Sequence, residues 1–186
     1  MSTPEESQFR TNPPRVAEER PMYQAWLDFH RGTLLWKCVG LTDAQLKSAS
    51  VPPSNLTLLG LVRHMAEVER WWYRTRAAGI TLPDLYCPED DEDGDFDNVA
   101  DADVAQDLAT FKAECLAADE AVRGMSLDDT LVAAKDPISL RWVYVHMIEE
   151  YARHNGHADL IRESIDGGTS YCTTRMTRAL PLASSS

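Results

Sequence analysis

The sequence predicts an all-α protein built as a four-helix bundle. Apolar residues recur at helical spacing over four long stretches, glycine or proline marks the ends of these stretches, and no run alternates for long enough to build a sheet. The 186 residues suffice for a full hydrophobic core, and 44% of them are hydrophobic, as in an ordinary globular protein. We therefore expect a single domain.

The start of the chain predicts a lead-in followed by the first helix. Residues 1–17 are polar and contain three prolines, so we expect them to be disordered before a domain at residues 18–168. The first helix is predicted from Glu18 to Val39, because its apolar residues follow helical spacing and Gly40 can end it. A short capped turn is expected soon after it.

The second helix and the loop after it differ in composition. The helix is predicted to begin at Ser54 or Asn55, both good N-cap residues, and to run to Ala78. His64 lies beside its apolar stripe, so we expect this side chain to face inward. Residues 88–103 hold a run of Asp and Glu without Lys or Arg. Their spacing lacks the order of ligands of an EF-hand, and we interpret them as a solvated loop.

Capping residues and glycines mark the last two helices. The third helix is predicted from Ala102 to Arg123, before a glycine. The fourth is predicted to be capped by Ser139 and to run to Ile165, before a pair of glycines. Residues 169–186 are expected to form a loose C-terminal tail.

Charge and composition exclude several classes of function. The net charge of −12 argues against nucleic acid as a partner, because phosphate binding needs a basic surface. No stretch approaches the roughly 20 consecutive apolar residues that span a bilayer, and the polar start is unlike a signal peptide. The four cysteines are scattered, which is typical of reduced thiols. We therefore expect a cytoplasmic protein that does not act at a membrane.

Four residues of the fourth helix share one face. His146, Glu150, His154 and His157 project within an arc of about 80°. His146 and His154 lie about 12 Å apart along the axis, too far to hold one ion together, which leaves His146/Glu150, Glu150/His154 and His154/His157 as pairs. One such pair and His64 could hold one divalent ion with an open position. In the alternative, Glu150 forms a salt bridge with one of Arg63, Arg70, Arg141 and Arg153.

Two segments of the chain carry a resemblance to a known family. Residues 58–72, LLGLVRHMAEVERWW, and residues 149–163, EEYARHNGHADLIRE, resemble the DinB-like superfamily, and within it an actinobacterial branch. The resemblance covers roughly residues 20–168 and includes the mycothiol-dependent maleylpyruvate isomerases as relatives. It implies an up-down-down-up bundle, with a divalent metal held by a histidine of the second helix and a pair four residues apart on the fourth.

The family pattern implies which residues are the metal ligands. A glycine commonly follows the second ligand of the pair, and matching it to Gly156 places the pair at Glu150 and His154, with His64 as the third ligand. The family's first histidine is replaced by Glu150, as in the related isomerases. His157 stands where glutamine is usual and could be a fourth ligand, a partner that orients a ligand, or a general base. We take it as the catalytic candidate and favour the orienting role.

The resemblance also implies the chemistry. Two imidazoles and one carboxylate suit Zn²⁺ best, and Ni²⁺ or Fe²⁺ also fit. Relatives use a low-molecular-weight thiol such as mycothiol, which is either transferred to a small electrophile or used to isomerise it. The resemblance also implies a homodimer. The competing hypotheses are a non-catalytic metal-binding or stress-related binding module and a metal-dependent hydrolase. Trp71, Trp72 and Trp142 are expected in the core, with a pocket mouth or a dimer face as the alternatives.

Overall fold

Helices account for the regular structure of the described part of the chain. The computed structural model describes residues 9–131 and 137–168, and one isolated bridge, Thr130 to Ser139, is the single β feature there. The all-α prediction is confirmed, whereas the up-down-down-up order and the division into a lead-in, a domain and a tail stay predictions. The helices are α1 (Glu19–Cys38), α2 (Asp43–Leu46), α3 (Leu58–Glu69), α4 (Gly94–Asp97), α5 (Val104–Val122) and α6 (Leu140–Asp166).

Side-chain caps explain where the long helices begin. Ser139 accepts a hydrogen bond from the Trp142 N–H and caps α6, as predicted. The start of α3 was predicted too early, because Thr57, rather than Ser54 or Asn55, accepts from the Gly60 N–H. A threonine oxygen satisfies one of the free N–H groups of the first turn, so the helix begins there.

The second long helix changes its hydrogen-bonding pattern halfway. After Glu69 it continues as a π-helix, Arg70–Ala77, and it ends before Gly79, which has a positive φ of 70°. The helix therefore spans nearly the predicted length without being α-helical throughout. Wider turns of this kind often occur at functional sites. Here the π-helical turn carries the adjacent Trp71 and Trp72.

The core lies between two pairs of helices. α1 packs against α6, and α3 with its π-helical continuation packs against α5. Two of the scattered cysteines, Cys38 and Cys115, are buried in this core. The expectation that all three tryptophans pack in the core was wrong, because Trp71 and Trp142 are 45% and 46% exposed.

A buried ion pair joins three of the long helices. Arg31 of α1 donates two hydrogen bonds of 2.7 Å to the Glu69 carboxylate at the end of α3. Tyr151 of α6 donates a third, also 2.7 Å long. Glu69 is fully buried, so these donors replace the water that the carboxylate loses on folding.

None of the helices in the described ranges is both long and apolar enough to cross a membrane.

Candidate metal centre

His64, Glu150 and His154 lie together between α3 and α6. One possible ligand atom from each lies within 4.8 Å of the others. His154 Nε2 is 3.5 Å from Glu150 Oε2, and the ring centroids of His64 and His154 are 4.7 Å apart. Two ligands of one tetrahedral Zn²⁺ at its usual bond lengths lie about 3.4 Å apart. The donor spacing therefore fits one divalent ion.

The burial of these side chains also suits a metal centre. His64, Glu150 and His154 keep 25%, 21% and 14% of their side-chain surface exposed, so solutes can reach them. Burial, followed by the neighbouring charges of His64, His157 and Arg153, lowers the pKa of His154 to about 4. A neutral imidazole has a free lone pair for a cation. His154 is therefore neutral at neutral pH, which is the form that could bind a metal ion.

The salt-bridge alternative for Glu150 finds no support in the described part of the chain. Each candidate arginine has another carboxylate partner: Asp107 for Arg63, Glu114 for Arg70, Glu19 and Asp128 for Arg141, and Glu149 for Arg153. The carboxylate of Glu150 instead faces two histidines. The Glu150 carboxylate is half-buried between His146 and His154, so a metal ion would supply the positive partner that the arginines do not.

Sequence reasoning missed Asp95. Its Oδ2 lies 2.7 Å from His64 Nδ1, and its side chain is 3% exposed. The Phe96 ring also stacks on the His64 ring, with centroids 5.0 Å apart. Both residues belong to the acidic run that we interpreted as a solvated loop. That interpretation does not hold for Asp95, which lies in the short helix α4 against α3.

Two charged side chains of α3 bind the backbone of the acidic run and of the residues just before it. Arg63 donates to the carbonyl oxygens of Asp95 and Gly94, at 3.1 and 3.0 Å. Glu67 accepts from the backbone N–H groups of Leu85 and Tyr86, both at 2.7 Å. The local sequence pattern does not reveal such contacts, because they join residues about 20 to 30 positions apart in the chain.

The remaining histidines of α6 lie on either side of the cluster. His157 Nδ1 is 3.4 Å from His154 Nδ1. His157 therefore contacts the edge of the His154 ring opposite Nε2, the nitrogen that faces Glu150. His146 Nε2 lies 3.5 Å from Glu150 Oε1. The His146 ring is stacked on Trp142 and meets Trp72 edge-on.

A second group of donors, formed by His146, Glu149 and Glu150, is also compact enough to hold an ion. It is less suited to do so. Glu149 is exposed and is paired with Arg153, so an ion would have to displace that arginine. The group formed with His64 draws its donors from two helices and is more buried.

A cleft of about 580 Å³ opens beside His64. One wall is the face of α3 and its π-helical continuation that carries His64, Val68 and Trp71, and the other is the acidic run with Phe96. This volume is in the range of small-molecule sites. The exposure of Trp71 follows from its place in this wall, which matches the alternative of a pocket mouth.

Acid should destabilise the metal-free protein partly through His154. The pKa of a histidine in the unfolded chain is about 6.5, whereas the pKa of His154 in the folded protein is about 4. Between these values the unfolded state binds more protons, so this contribution to stability falls as the pH is lowered through that window. Urea unfolding with chelator at about pH 7 and about pH 5 should show a smaller loss for His154→Gln than for the wild type. Equal losses would contradict the assignment.

Comparison with known families gives a match that covers most of the chain. The family model described as mycothiol-S-transferase matches residues 22–167, a range that holds His64, Glu150, His154 and His157. None of the curated proteins or solved structures compared with the chain matches it. The matched range contains all four long helices except the first turn of α1. The chain therefore belongs to the mycothiol-S-transferase family, a member of the DinB-like superfamily.

Proposed function

We propose that this protein is a divalent-metal-dependent transferase that joins a mycothiol-type thiol to a small electrophile. Family membership supports the thiol-dependent transfer. The proposed metal dependence is supported by one observation: His64, Glu150 and His154 converge, with one possible donor atom of each within 4.8 Å of the others. Two neutral nitrogens and one carboxylate oxygen form a set that suits Zn²⁺, with Ni²⁺ and Fe²⁺ as alternatives.

In this proposal each residue of the centre has a distinct task. His64, Glu150 and His154 hold the ion, and three protein ligands leave a position for another molecule. When bound, the ion acts as a Lewis acid that lowers the pKa of a thiol placed at that position. His157, 3.4 Å from Nδ1 of His154, would hold that ring in its orientation, since one of the two nitrogens can donate a hydrogen bond to the other.

The cleft provides room for the rest of the substrates. It begins at His64, and the aromatic side chains of Trp71 and Phe96 line it. A thiol sulfur at the centre and an electrophile in the cleft would thus be neighbours. Such positioning alone accelerates a reaction between two bound molecules.

Cobalt substitution tests the proposal directly. The metal-free protein should take up one Co²⁺, and the visible absorption bands of the ion should change when mycothiol is added. S-methylated mycothiol, which cannot form a thiolate, should leave the bands unchanged. If Co²⁺ does not bind, the metal centre is wrong. If it binds and mycothiol has no effect, the thiol-dependent role is wrong and a hydrolase or a binding module is favoured.

A further inference from the structure

The acidic run meets the proposed metal centre at one buried side chain. Asp95 Oδ2 lies 2.7 Å from His64 Nδ1, and Asp95 Oδ1 accepts a 2.9 Å hydrogen bond from the Phe96 N–H. An ionised carboxylate only accepts hydrogen bonds, so the proton of the His64 ring belongs on Nδ1. The lone pair of Nε2 then remains free for an ion.

We infer that Asp95 is a positioning residue for His64, and that residues 84–97, here called the acidic segment, are coupled to metal binding. The inference rests on the proposed metal centre. It assigns the acidic segment a role that a solvated loop would not have. A carboxylate that receives the second ring N–H of a ligating histidine fixes both its tautomer and its orientation.

The coupling follows from how the acidic segment is held. Arg63, the neighbour of His64 on α3, binds the carbonyl oxygens of Gly94 and Asp95 and pairs with Asp107 of α5 at 3.3 Å. Glu67, one turn later, binds the backbone at the other end of the segment. The position of Asp95 therefore depends on the order of the whole segment.

Thermodynamic linkage makes this coupling reciprocal. If an ordered acidic segment raises the affinity of the centre for an ion, the ion must stabilise the segment by the same factor. The segment is exposed over much of its length, and Glu92, Asp93 and Asp97 all face solvent. The hydrogen bonds from α3 to both ends of the segment then set the fraction of molecules in which Asp95 contacts His64.

Zinc affinity tests the positioning role. Competition with a chelating dye should show that Asp95→Ala binds Zn²⁺ about 10-fold to 100-fold more weakly than the wild type. Asp95→Asn should lose less, because its amide oxygen still accepts from Nδ1. Asp97→Ala is the matched control, since Asp97 lies in the same short helix but is exposed and bonds to Asn55. Equal affinities of Asp95→Ala and Asp97→Ala would overturn the inference.

Hydrogen exchange tests the coupling. Zn²⁺ should slow the exchange of backbone amides in the acidic segment of the wild-type protein, and this protection should be lost in Asp95→Ala. Glu67→Ala, which frees the Leu85 and Tyr86 N–H groups, should both loosen the segment and weaken Zn²⁺ binding. Unchanged exchange in the zinc-loaded wild type would refute the coupling. A wild type that binds no Zn²⁺ would refute the proposed metal centre instead.

Discussion

His64→Ala should abolish tight zinc binding while leaving the fold intact. His64 supplies one of three proposed ligands and reaches the centre from α3, opposite the pair on α6. Loss of an outer partner already costs about 10-fold to 100-fold in metal affinity, so loss of a ligand should cost more than about 100-fold. A ligand at 100 times its Kd stabilises a protein by about 2.7 kcal/mol. The rise in melting temperature that Zn²⁺ gives the wild type should therefore disappear in His64→Ala.

Two other histidines serve as controls for this experiment. His30 lies on α1, where it contacts Trp26, Phe29 and Asn155, so His30→Ala should keep the zinc-induced rise. His146 belongs to the competing group with Glu149. If His146→Ala abolishes the rise and His64→Ala does not, that group holds the ion and our assignment is wrong.

The parts of the centre that lie on long helices could be predicted from the sequence. Glu150 and His154 are four residues apart, so their helix alone sets them on one face. His64 lies beside an apolar stripe, which turns it toward the neighbouring helices. Both conclusions need only the period of the helix. Deciding that His64 meets Glu150 and His154, rather than another part of α6, required the family resemblance.

The acidic segment could not be predicted in the same way. Its composition is that of a solvated loop, and most of its carboxylates are indeed exposed. What distinguishes Asp95 is its place over α3, which depends on hydrogen bonds from Arg63 to backbone carbonyl oxygens. Such bonds do not depend on the identity of the residues that supply the carbonyl groups. No pattern of residue types therefore reveals them.

The π-helical turn was hidden for a related reason. Its residues, Arg70–Ala77, continue a helical pattern closely enough that an α-helix to Ala78 was predicted. A change from one hydrogen-bond register to another shifts the facing of side chains without changing the residue types. Trp71 thus lies in the wall of the cleft rather than in the core, whereas Trp72 is partly buried, packs against the core as expected and also meets His146.

Glu69→Ala should be among the most destabilising single changes in this protein. Glu69 is fully buried, and its removal leaves the guanidinium of Arg31 without its bidentate partner and the Tyr151 hydroxyl without an acceptor. Breaking a buried pair in this way costs about 3–5 kcal/mol. Denaturant unfolding should show this loss. Glu149→Ala, which breaks the exposed pair with Arg153, should change the stability by less than about 1 kcal/mol.

The double variant Arg31→Met/Glu69→Leu separates the two origins of that loss. If the cost of Glu69→Ala comes from leaving the Arg31 guanidinium without its buried partner, replacing both residues by apolar side chains should recover much of it, because desolvation of the two charges offsets most of their attraction. Asp119 and Asp28 also contact Arg31 and would lose their partner, so recovery should be incomplete. A double variant less stable than Glu69→Ala would show instead that the ion pair itself holds α1, α3 and α6 together.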